Sequence, residues 1–362
     1  MKEKELVFCL PNLANIHKGK DPEKIISEFL KANYSITCLT AENPTFNNEI
    51  EIEKIQKMNF FNYLFKVIGQ YLKGKKIFFF FHLKDHHILI MSLLVFLKCD
   101  VTCKMDNCEK AGPYPWESYL DKNSTTNIFY FQKKRNVIFK SILKNMLKYL
   151  FDNLKLLIVE DDNSFEYYKN KYNIRCQFIC VPNLKSPIIF NEVLNKQNIL
   201  IHVARLGSPE KNTENVVKGF LNSNLKDDYK LILAGSATEE FIGFLKSNKT
   251  ENIIYAGLLN EIELNNLYKI AKYLILPSKV ETFSNVFSES FSHGVSVITS
   301  KNTGISHFEN DWIKILRDNS TLTITQAIND IEFCDNQAVD ITNWYCDFYN
   351  SNLKYSDIIN YV

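Results

Sequence analysis

Apolar runs of strand length alternate with helix-like segments along the whole chain. Leu6–Leu10, Tyr34–Thr40 and Lys76–Phe81 are mostly apolar runs, and segments such as Asp21–Lys31 lie between them. An unbroken apolar run indicates a strand buried on both faces, which is typical of parallel sheets covered by helices. A strand, a helix and a strand at this spacing form a right-handed crossover unit. The pattern therefore predicts an α/β fold with parallel sheets.

The alternation pauses near residues 187–196 and starts again at Asn198. A chain of 362 residues is also longer than a typical single domain. We therefore expect two Rossmann-like, doubly wound domains at residues 1–186 and 187–340. An aromatic-rich helix or helix pair at 341–362 is expected to pack back on the first domain. Two such domains hold a ligand between them, at the carboxyl ends of both sheets.

Charge is divided unevenly between the two halves. Residues 1–185 contain 28 Lys and Arg against 20 Asp and Glu, and residues 186–362 contain 15 against 21, so the net charges are +8 and −6. We expect the basic half to meet an anionic surface. Nucleic acid is not the expected partner, because no helix-turn-helix, zinc-finger or RNP pattern is present. The longest apolar stretches are too short to span a bilayer and no signal peptide is apparent, so we expect a cytoplasmic protein.

Cysteines and histidines predict no metal site. The nine cysteines form no CxxC pair, and the cluster Cys99, Cys103 and Cys108 matches no zinc spacing. Free thiols in a reducing compartment are the expected state. The three histidines within residues 82–87 are not accompanied by a carboxylate pattern typical of a metal site, and they fit a helix start better than a ligand set.

Lys133–Lys148 contains six cations and no acid, and Lys140, Lys144 and Lys148 recur every four residues on one helix face. A basic amphipathic helix of this kind can lie on anionic lipid. The alternative is a helix that packs on the core and turns a solvated basic face outward. Both interpretations stay open, and the first would make the protein a peripheral membrane protein.

Leu274–Ser300 predicts a buried strand, a polar loop, a short helix and a second buried strand. Glu281 lies in the loop, and Glu289 falls in the second helical turn if the helix starts near residue 284. Both carboxylates can then line one pocket beside a helix N-terminus, which favours an anion such as a phosphate. Two surface glutamates on an amphipathic segment are the alternative. The residues that offer N–H groups or hydroxyls to this pocket are Thr282, Phe283, Ser284 and Asn285.

The segment VARLGSPEKN places Arg205 just past a predicted strand and Lys211 just before a predicted helix. Two cations at a strand end form a receptor for a diphosphate, since Arg binds two oxygens at once and Lys acts as a point charge. A solvated turn is the alternative. The position favours the diphosphate, because this strand end lies at the same sheet edge as Glu281.

Together these residues resemble the retaining glycosyltransferases of family 4, which have the GT-B fold. The resemblance is carried by Arg205 and Lys211, by Pro277-Ser278 and by Glu281-x7-Glu289, and it covers residues 198–310. It implies two Rossmann-like domains that face each other across a cleft. The chain departs from the family pattern at Gly294-Val295-Ser296, where relatives have Gly-x-Pro.

The resemblance also implies a role for each site residue. Arg205 and Lys211 would hold the donor diphosphate, Glu281 the donor sugar and Glu289 the ribose, and Leu259 would flank the nucleotide base. Asp106 follows a predicted strand where many relatives carry a polar residue near the reacting sugar, although a strand-end turn residue is an equal interpretation.

The expected function is a retaining glycosyltransferase that moves a sugar from a UDP- or GDP-sugar to a glycan or lipid-linked acceptor hydroxyl. The resemblance implies that no metal or other cofactor is needed. Bacterial surface polysaccharide or glycolipid assembly, on the inner face of the cytoplasmic membrane, is the expected setting. A catalytically silent GT-B accessory subunit of a glycosylation complex is the alternative.

Overall fold

A computed structural model gives the fold of the chain. It describes residues 4–10, 21–40, 50–54, 60–81, 85–105, 137–188, 195–279, 281–306, 308, 310–334 and 336–362. The chain divides into two compact units, one formed by Met1–Pro182 with Leu353–Val362 and the other by Asn183–Asn352.

The first unit is built around a parallel sheet. Its strands and helices in chain order are β1 (Lys4–Cys9), α1 (Asp21–Lys31), β2 (Tyr34–Thr40), β3 (Glu51–Lys54), α2 (Phe60–Leu72), β4 (Lys76–Phe81), α3 (Asp85–Phe96), β5 (Val101–Met105), α4 (Val137–Asn153), β6 (Leu156–Val159), α5 (Asp162–Tyr172), β7 (Gln177–Cys180) and a terminal 3₁₀ helix (Tyr355–Asn360). The sheet order is β3-β2-β1-β4-β5-β6-β7. Leu6 pairs with Ile36 and Phe8 with Phe78, so apolar side chains meet across the central strands.

Apolar side chains cover both faces of this sheet. Helices α2 to α5 supply one core cluster, and α1 with the terminal 3₁₀ helix supplies the other. Burial on both faces explains why the central strands β1, β4 and β6 are mostly apolar and do not alternate regularly with polar residues.

The mixed periodicity of Ile52–Leu72 predicts one helix, and at the edge strand β3 this prediction is wrong. Residues Glu51–Lys54 pair with β2, and the helix begins only at Phe60. Thr37 Oγ1 on β2 donates a hydrogen bond of 2.9 Å to Glu51 Oε2. Charged side chains are common on short edge strands, where they discourage pairing with another chain. This segment is therefore a strand in spite of its polarity.

The second unit repeats the architecture. Its elements are β8 (Gln197–Val203), α6 (Thr213–Leu221), β9 (Lys230–Ala234), α7 (Glu239–Ser247), β10 (Ile253–Gly257), α8 (Glu261–Ile270), β11 (Ala271–Leu276), α9 (Asn285–Ser292), β12 (Ser296–Ser300), β13 (Ile313–Leu316), α10 (Thr321–Asn329) and α11 (Gln337–Ser351). The parallel sheet has the order β10-β9-β8-β11-β12-β13. Two doubly wound α/β units are therefore present, as the apolar pattern predicted.

The sequence pattern is less regular from Ser306 onward, but the structure has the strand β13 and the helix α10 there. Helix α10 contains three threonines, which are weak helix formers, but Ser320 caps its start by accepting a hydrogen bond from Thr323 N–H. Ile324 and Ile328 are fully buried in the core that α10 shares with α6. Tertiary burial thus outweighs the weak local preference.

The segment expected at 341–362 is shared between the two units. Helix α11 lies in the second unit, where Ile341 and Tyr345 are fully buried, and Leu353–Val362 lies in the first unit. Of the helices that the structure describes, none combines the length and the apolar content needed to cross a bilayer.

Candidate active site

The strand order of the second sheet reverses between β8 and β11. Strands β9 and β10 continue on one side of this pair, and β12 and β13 continue on the other. Ligands of open α/β sheets bind in the crevice outside such a switch point, at the carboxyl ends of the strands. The loops that begin there are residues 204–212 after β8 and 277–284 after β11.

Lys211 and Glu281 meet between these two loops. Lys211 Nζ donates a hydrogen bond to Glu281 Oε2, and each side chain is only 15% exposed. The main chain fixes Glu281, because its N–H donates to Asn302 O at 3.3 Å and its carbonyl accepts from Gly304 N–H at 3.2 Å. The predicted cation and the predicted carboxylate therefore lie at one edge of the sheet. As a close pair, they can separate to offer a cation to a phosphate and a carboxylate to a hydroxyl.

Arg205 lies nearer the surface, with 72% of its side chain exposed. Its Nη2 donates to Glu210 Oε1 at 2.7 Å, and the Glu210 carbonyl accepts from Lys279 N–H at 2.8 Å. Glu210 thus pairs with Arg205 and also joins the two loops. We did not predict this role for Glu210, although an acid five residues after an Arg in one turn was a usable signal.

A buried histidine supports the start of α6 beside Lys211. His202 Nδ1 lies 2.7 Å from Ile275 O, and its Nε2 lies 3.1 Å from Thr213 Oγ1. Since a carbonyl can only accept, Nδ1 carries the proton and Nε2 accepts from the threonine hydroxyl. Burial, and to a smaller extent the nearby Lys211 charge, lower the pKa of His202 to about 4. His202 is therefore neutral near pH 7 and does not compete with Lys211 for an anion.

Helix α9 begins at Asn285 with Ser284 as its N-cap, close to the predicted start. The Ser284 side chain makes no capping hydrogen bond and the first turn contains no acid. The positive end of the helix is thus not neutralised by its own side chains. Phe283 is buried and stacks on Phe348 with centroids 6.0 Å apart, so only its main chain can meet a ligand. Thr282 is also buried.

Glu289 is contacted from two elements. Tyr268 on α8 donates its hydroxyl to Glu289 Oε2 at 3.1 Å, and Lys185 Nζ lies 3.8 Å from Glu289 Oε1. Lys185 also lies 3.5 Å from Glu261 Oε1. Burial, and then the negative charge of Glu289, raise the pKa of Tyr268 well above its usual value. Tyr268 therefore stays protonated and donates. Sequence reasoning identified neither Tyr268 nor Lys185, because nothing local relates them to Glu289.

Leu259 follows β10 at the same edge of the sheet. Gly257 has a positive φ of 71°, which turns the chain at the strand end. Leu259 is half-buried against the apolar core, whereas its neighbour Leu258 is 81% exposed. Both residues are placed at the carboxyl edge, where the predicted base contact would lie.

Some predicted features fall outside this site. Asp106, His82 and Lys133 lie outside the described residues. Among the residues that the structure does describe, no group of three or more His, Cys, Asp or Glu side chains is arranged to hold a metal ion. The cysteines within that part of the chain are free.

The comparisons with known proteins agree with this architecture. The two parallel sheets with their interleaved helices match the structures of GT-B glycosyltransferases, so the chain has the GT-B fold. Within it, residues 185–343 match the family described as Glycosyl transferases group 1. This region contains every described site residue. No curated protein sequence matches the chain.

Similar solved structures cover almost the whole chain at low identity. WaaG, a glycosyltransferase involved in lipopolysaccharide biosynthesis, matches with a TM-score of 0.64 and 13% identity over 98% of this chain and 99% of that one. Anabaena HepE in complex with UDP and glucose matches with a TM-score of 0.69 and 11% identity over 98% of this chain and 97% of that one. Sucrose-phosphate synthase from Thermosynechococcus elongatus matches with a TM-score of 0.70 and 13% identity over 98% of this chain and 96% of that one.

Proposed function

We propose that the protein is a retaining glycosyltransferase of family 4, which moves a sugar from a nucleotide diphosphate donor to an acceptor hydroxyl. The proposal rests chiefly on the meeting of Lys211 and Glu281 at the switch point of the second sheet, beside the N-terminus of α9. It is supported by the family match over residues 185–343.

The departing diphosphate sets the largest electrostatic requirement of such a reaction. Lys211 and Arg205 supply two cations and α9 supplies the positive end of a helix. Glu281, released from Lys211, would accept a hydrogen bond from the donor sugar, and Glu289 would accept from the ribose. Because these groups act by charge and orientation, no protein nucleophile is needed.

UDP- or GDP-sugars are the proposed donors, and a structure similar to this chain was solved with UDP-glucose. The neutralisation of the diphosphate charge is assigned to Arg205, Lys211 and the α9 N-terminus, and not to a bound metal. We therefore expect turnover to be the same with magnesium as with a chelator. A loss of turnover on chelation would contradict this assignment.

The direct test measures donor turnover across UDP-, GDP- and ADP-sugars and then compares variants with the best donor. Lys211→Ala and Glu289→Ala should each lower turnover about 100-fold or more, as the loss of one transition-state contact commonly does. Lys249→Ala and Glu251→Ala are matched controls, because both residues are exposed and precede β10 at the opposite edge of the sheet.

Each outcome separates the alternatives. Undiminished turnover in Lys211→Ala or Glu289→Ala would refute the site. Wild-type protein that binds a nucleotide diphosphate but turns over none of the donors would favour the catalytically silent accessory subunit.

The acceptor is proposed to be a glycan or a lipid-linked molecule at the inner face of the cytoplasmic membrane. Lys148 on α4 is exposed, as are large apolar side chains on α3 and α2, where Phe96 is 69% and Phe65 is 66% exposed. Helix α2 contains no acid, and Lys73 and Lys98 lie exposed just beyond α2 and α3. Exposed apolar side chains among cations suit an anionic lipid surface.

Vesicle co-sedimentation tests this part of the proposal. The protein should bind phosphatidylglycerol vesicles at low salt and not phosphatidylcholine vesicles. Phe65→Ser with Phe96→Ser should reduce binding about tenfold or more, because each buried Phe contributes roughly 1.5–3 kcal/mol. Leu322→Ser, at an exposed apolar residue of the second unit, is the control. An absence of binding at low salt would remove the membrane from the proposal.

A further inference from the structure

The Glu289 carboxylate lies on α9, but the residues that contact it come from elsewhere. Its Oε2 accepts the Tyr268 hydroxyl at 3.1 Å, and its Oε1 faces Lys185 Nζ at 3.8 Å. The partners therefore approach different oxygens. Because a carboxylate is planar, contacts to its two oxygens from different directions fix the orientation of the group.

Tyr268 is itself held rigidly. It is fully buried, and its ring stacks on His293 with centroids 5.5 Å apart and an interplanar angle of 25°. His293 Nδ1 donates to the Glu289 carbonyl at 2.8 Å. The stacked pair thus contacts both the side chain and the main chain of Glu289.

A half-buried lysine, Lys196, joins helices α8 and α9 next to this pair. Lys196 Nζ donates to Tyr268 O at 3.0 Å and to His293 O at 2.7 Å, close to the ends of α8 and α9. Since a cation at helix C-termini is favourable, this contact keeps the helices in register. The tyrosine hydroxyl is consequently presented from a fixed position.

We infer that Tyr268 is a positioning residue of the donor site, which orients the Glu289 carboxylate toward the ribose of the nucleotide while Lys185 holds its other oxygen. The inference rests on the proposed function for the assignment of the ribose to Glu289. It adds that ribose recognition depends on a hydroxyl from the neighbouring helix α8.

The test compares binding of UDP and of 2′-deoxy-UDP by calorimetry. Wild-type protein should prefer UDP at least about tenfold, because a hydrogen bond to a carboxylate is lost with the 2′-hydroxyl. Tyr268→Phe keeps the ring on His293 and removes only the hydroxyl. It should weaken UDP binding about tenfold and reduce the preference for UDP over 2′-deoxy-UDP.

Tyr273→Phe is the matched control for stability. Tyr273 is also a buried tyrosine of the second unit, but its hydroxyl donates to Glu332 O at 2.5 Å, away from Glu289. It should bind both nucleotides as the wild type does. All proteins are compared at a temperature at which circular dichroism shows each to be folded.

A double-mutant cycle separates positioning from a general loss of structure. In a Glu289→Ala background, Tyr268→Phe should change UDP binding no further. Additive losses, or an unchanged nucleotide preference in Tyr268→Phe, would overturn the positioning role. If the wild-type protein binds none of UDP, GDP and ADP, the proposed function fails first, and this inference fails with it.

Discussion

Two buried histidines should make the second unit sensitive to acid. His202 and His293 are both fully buried, and burial is the main cause that lowers the pKa of each to about 4, from an ordinary value of 6.5. Between these values the unfolded chain binds protons that the folded chain does not bind. The histidines therefore do not lower the free energy of unfolding above about pH 6.5, and they lower it progressively as the pH drops toward about 4.

The size of the effect follows from the pKa difference. One pKa unit corresponds to about 1.4 kcal/mol, so lowering the pH to about 5 should cost about 2 kcal/mol for each histidine. Carboxylates that titrate in the same pH range also change the free energy of unfolding. Their contribution is the same in the wild type and in a histidine variant, so it cancels when the two are compared. His202→Asn should be less stable than wild type near neutral pH, but should lose about 2 kcal/mol less on acidification.

Urea unfolding at about pH 7 and about pH 5 measures this difference. Of the three tryptophans, Trp312 and Trp344 lie in the second unit and Trp116 in the first, so tryptophan fluorescence in a Trp116→Phe background follows the second unit. His293→Asn should give a similar reduction in pH dependence. If both variants show the same loss between the two pH values as the wild type, the histidines are not neutral in the folded protein and the reasoning is wrong.

Two further predictions concern stability at other positions. Gly294 has a φ of +67°, and a Cβ there would lie 2.5 Å from Ala338 O. Thermal unfolding should therefore show that Gly294→Ala destabilises the second unit by at least about 2 kcal/mol. Gly243 is the control: it lies in helix α7, and a Cβ there would meet no atom within 4 Å, so Gly243→Ala should be neutral or stabilising. A retained melting temperature in Gly294→Ala would contradict this. Lys104 and Glu160 form a fully buried ion pair of 2.5 Å in the first unit. In the same assay, Glu160→Gln should lower the free energy of unfolding by about 3–5 kcal/mol, because Lys104 is left as an unpaired buried charge. Adding Lys104→Met should recover part of that loss. A double variant as unstable as the sum of the single variants would show that the two charges are not coupled.

The sequence contains enough local signal to predict most of the fold. Apolar runs predicted the central strands, and Asn260 precedes α8 with a capping box that the structure shows in full. Strand ends also placed Arg205, Lys211 and Glu281 at one edge, because the carboxyl ends of parallel strands share an edge. These predictions needed only the spacing of apolar residues along the chain and the order of the predicted strands and helices.

The remaining contacts depend on tertiary structure. Tyr268 lies 21 residues before Glu289 and Lys185 lies 104 before it, and no spacing rule connects either residue to the carboxylate. Strand β3 and helix α10 were not predicted for a related reason. Their sequences are rich in polar residues and give weak local signals, and both elements are stabilised by packing against the rest of their unit. The pairing of Arg205 with Glu210 also needed the conformation of the loop.

The last ten residues delay the completion of the first unit during protein synthesis. Tyr355 and Ile358 are buried in its core, and Lys76 Nζ donates to the main-chain oxygen of Val362 at 2.5 Å. These residues are translated only after Asn183–Asn352, which takes a ribosome roughly ten to thirty seconds at about 5–20 residues per second. The second unit is continuous in sequence and emerges whole. It can therefore reach its final structure first, while the earlier-made unit waits with part of its core uncovered beside α1.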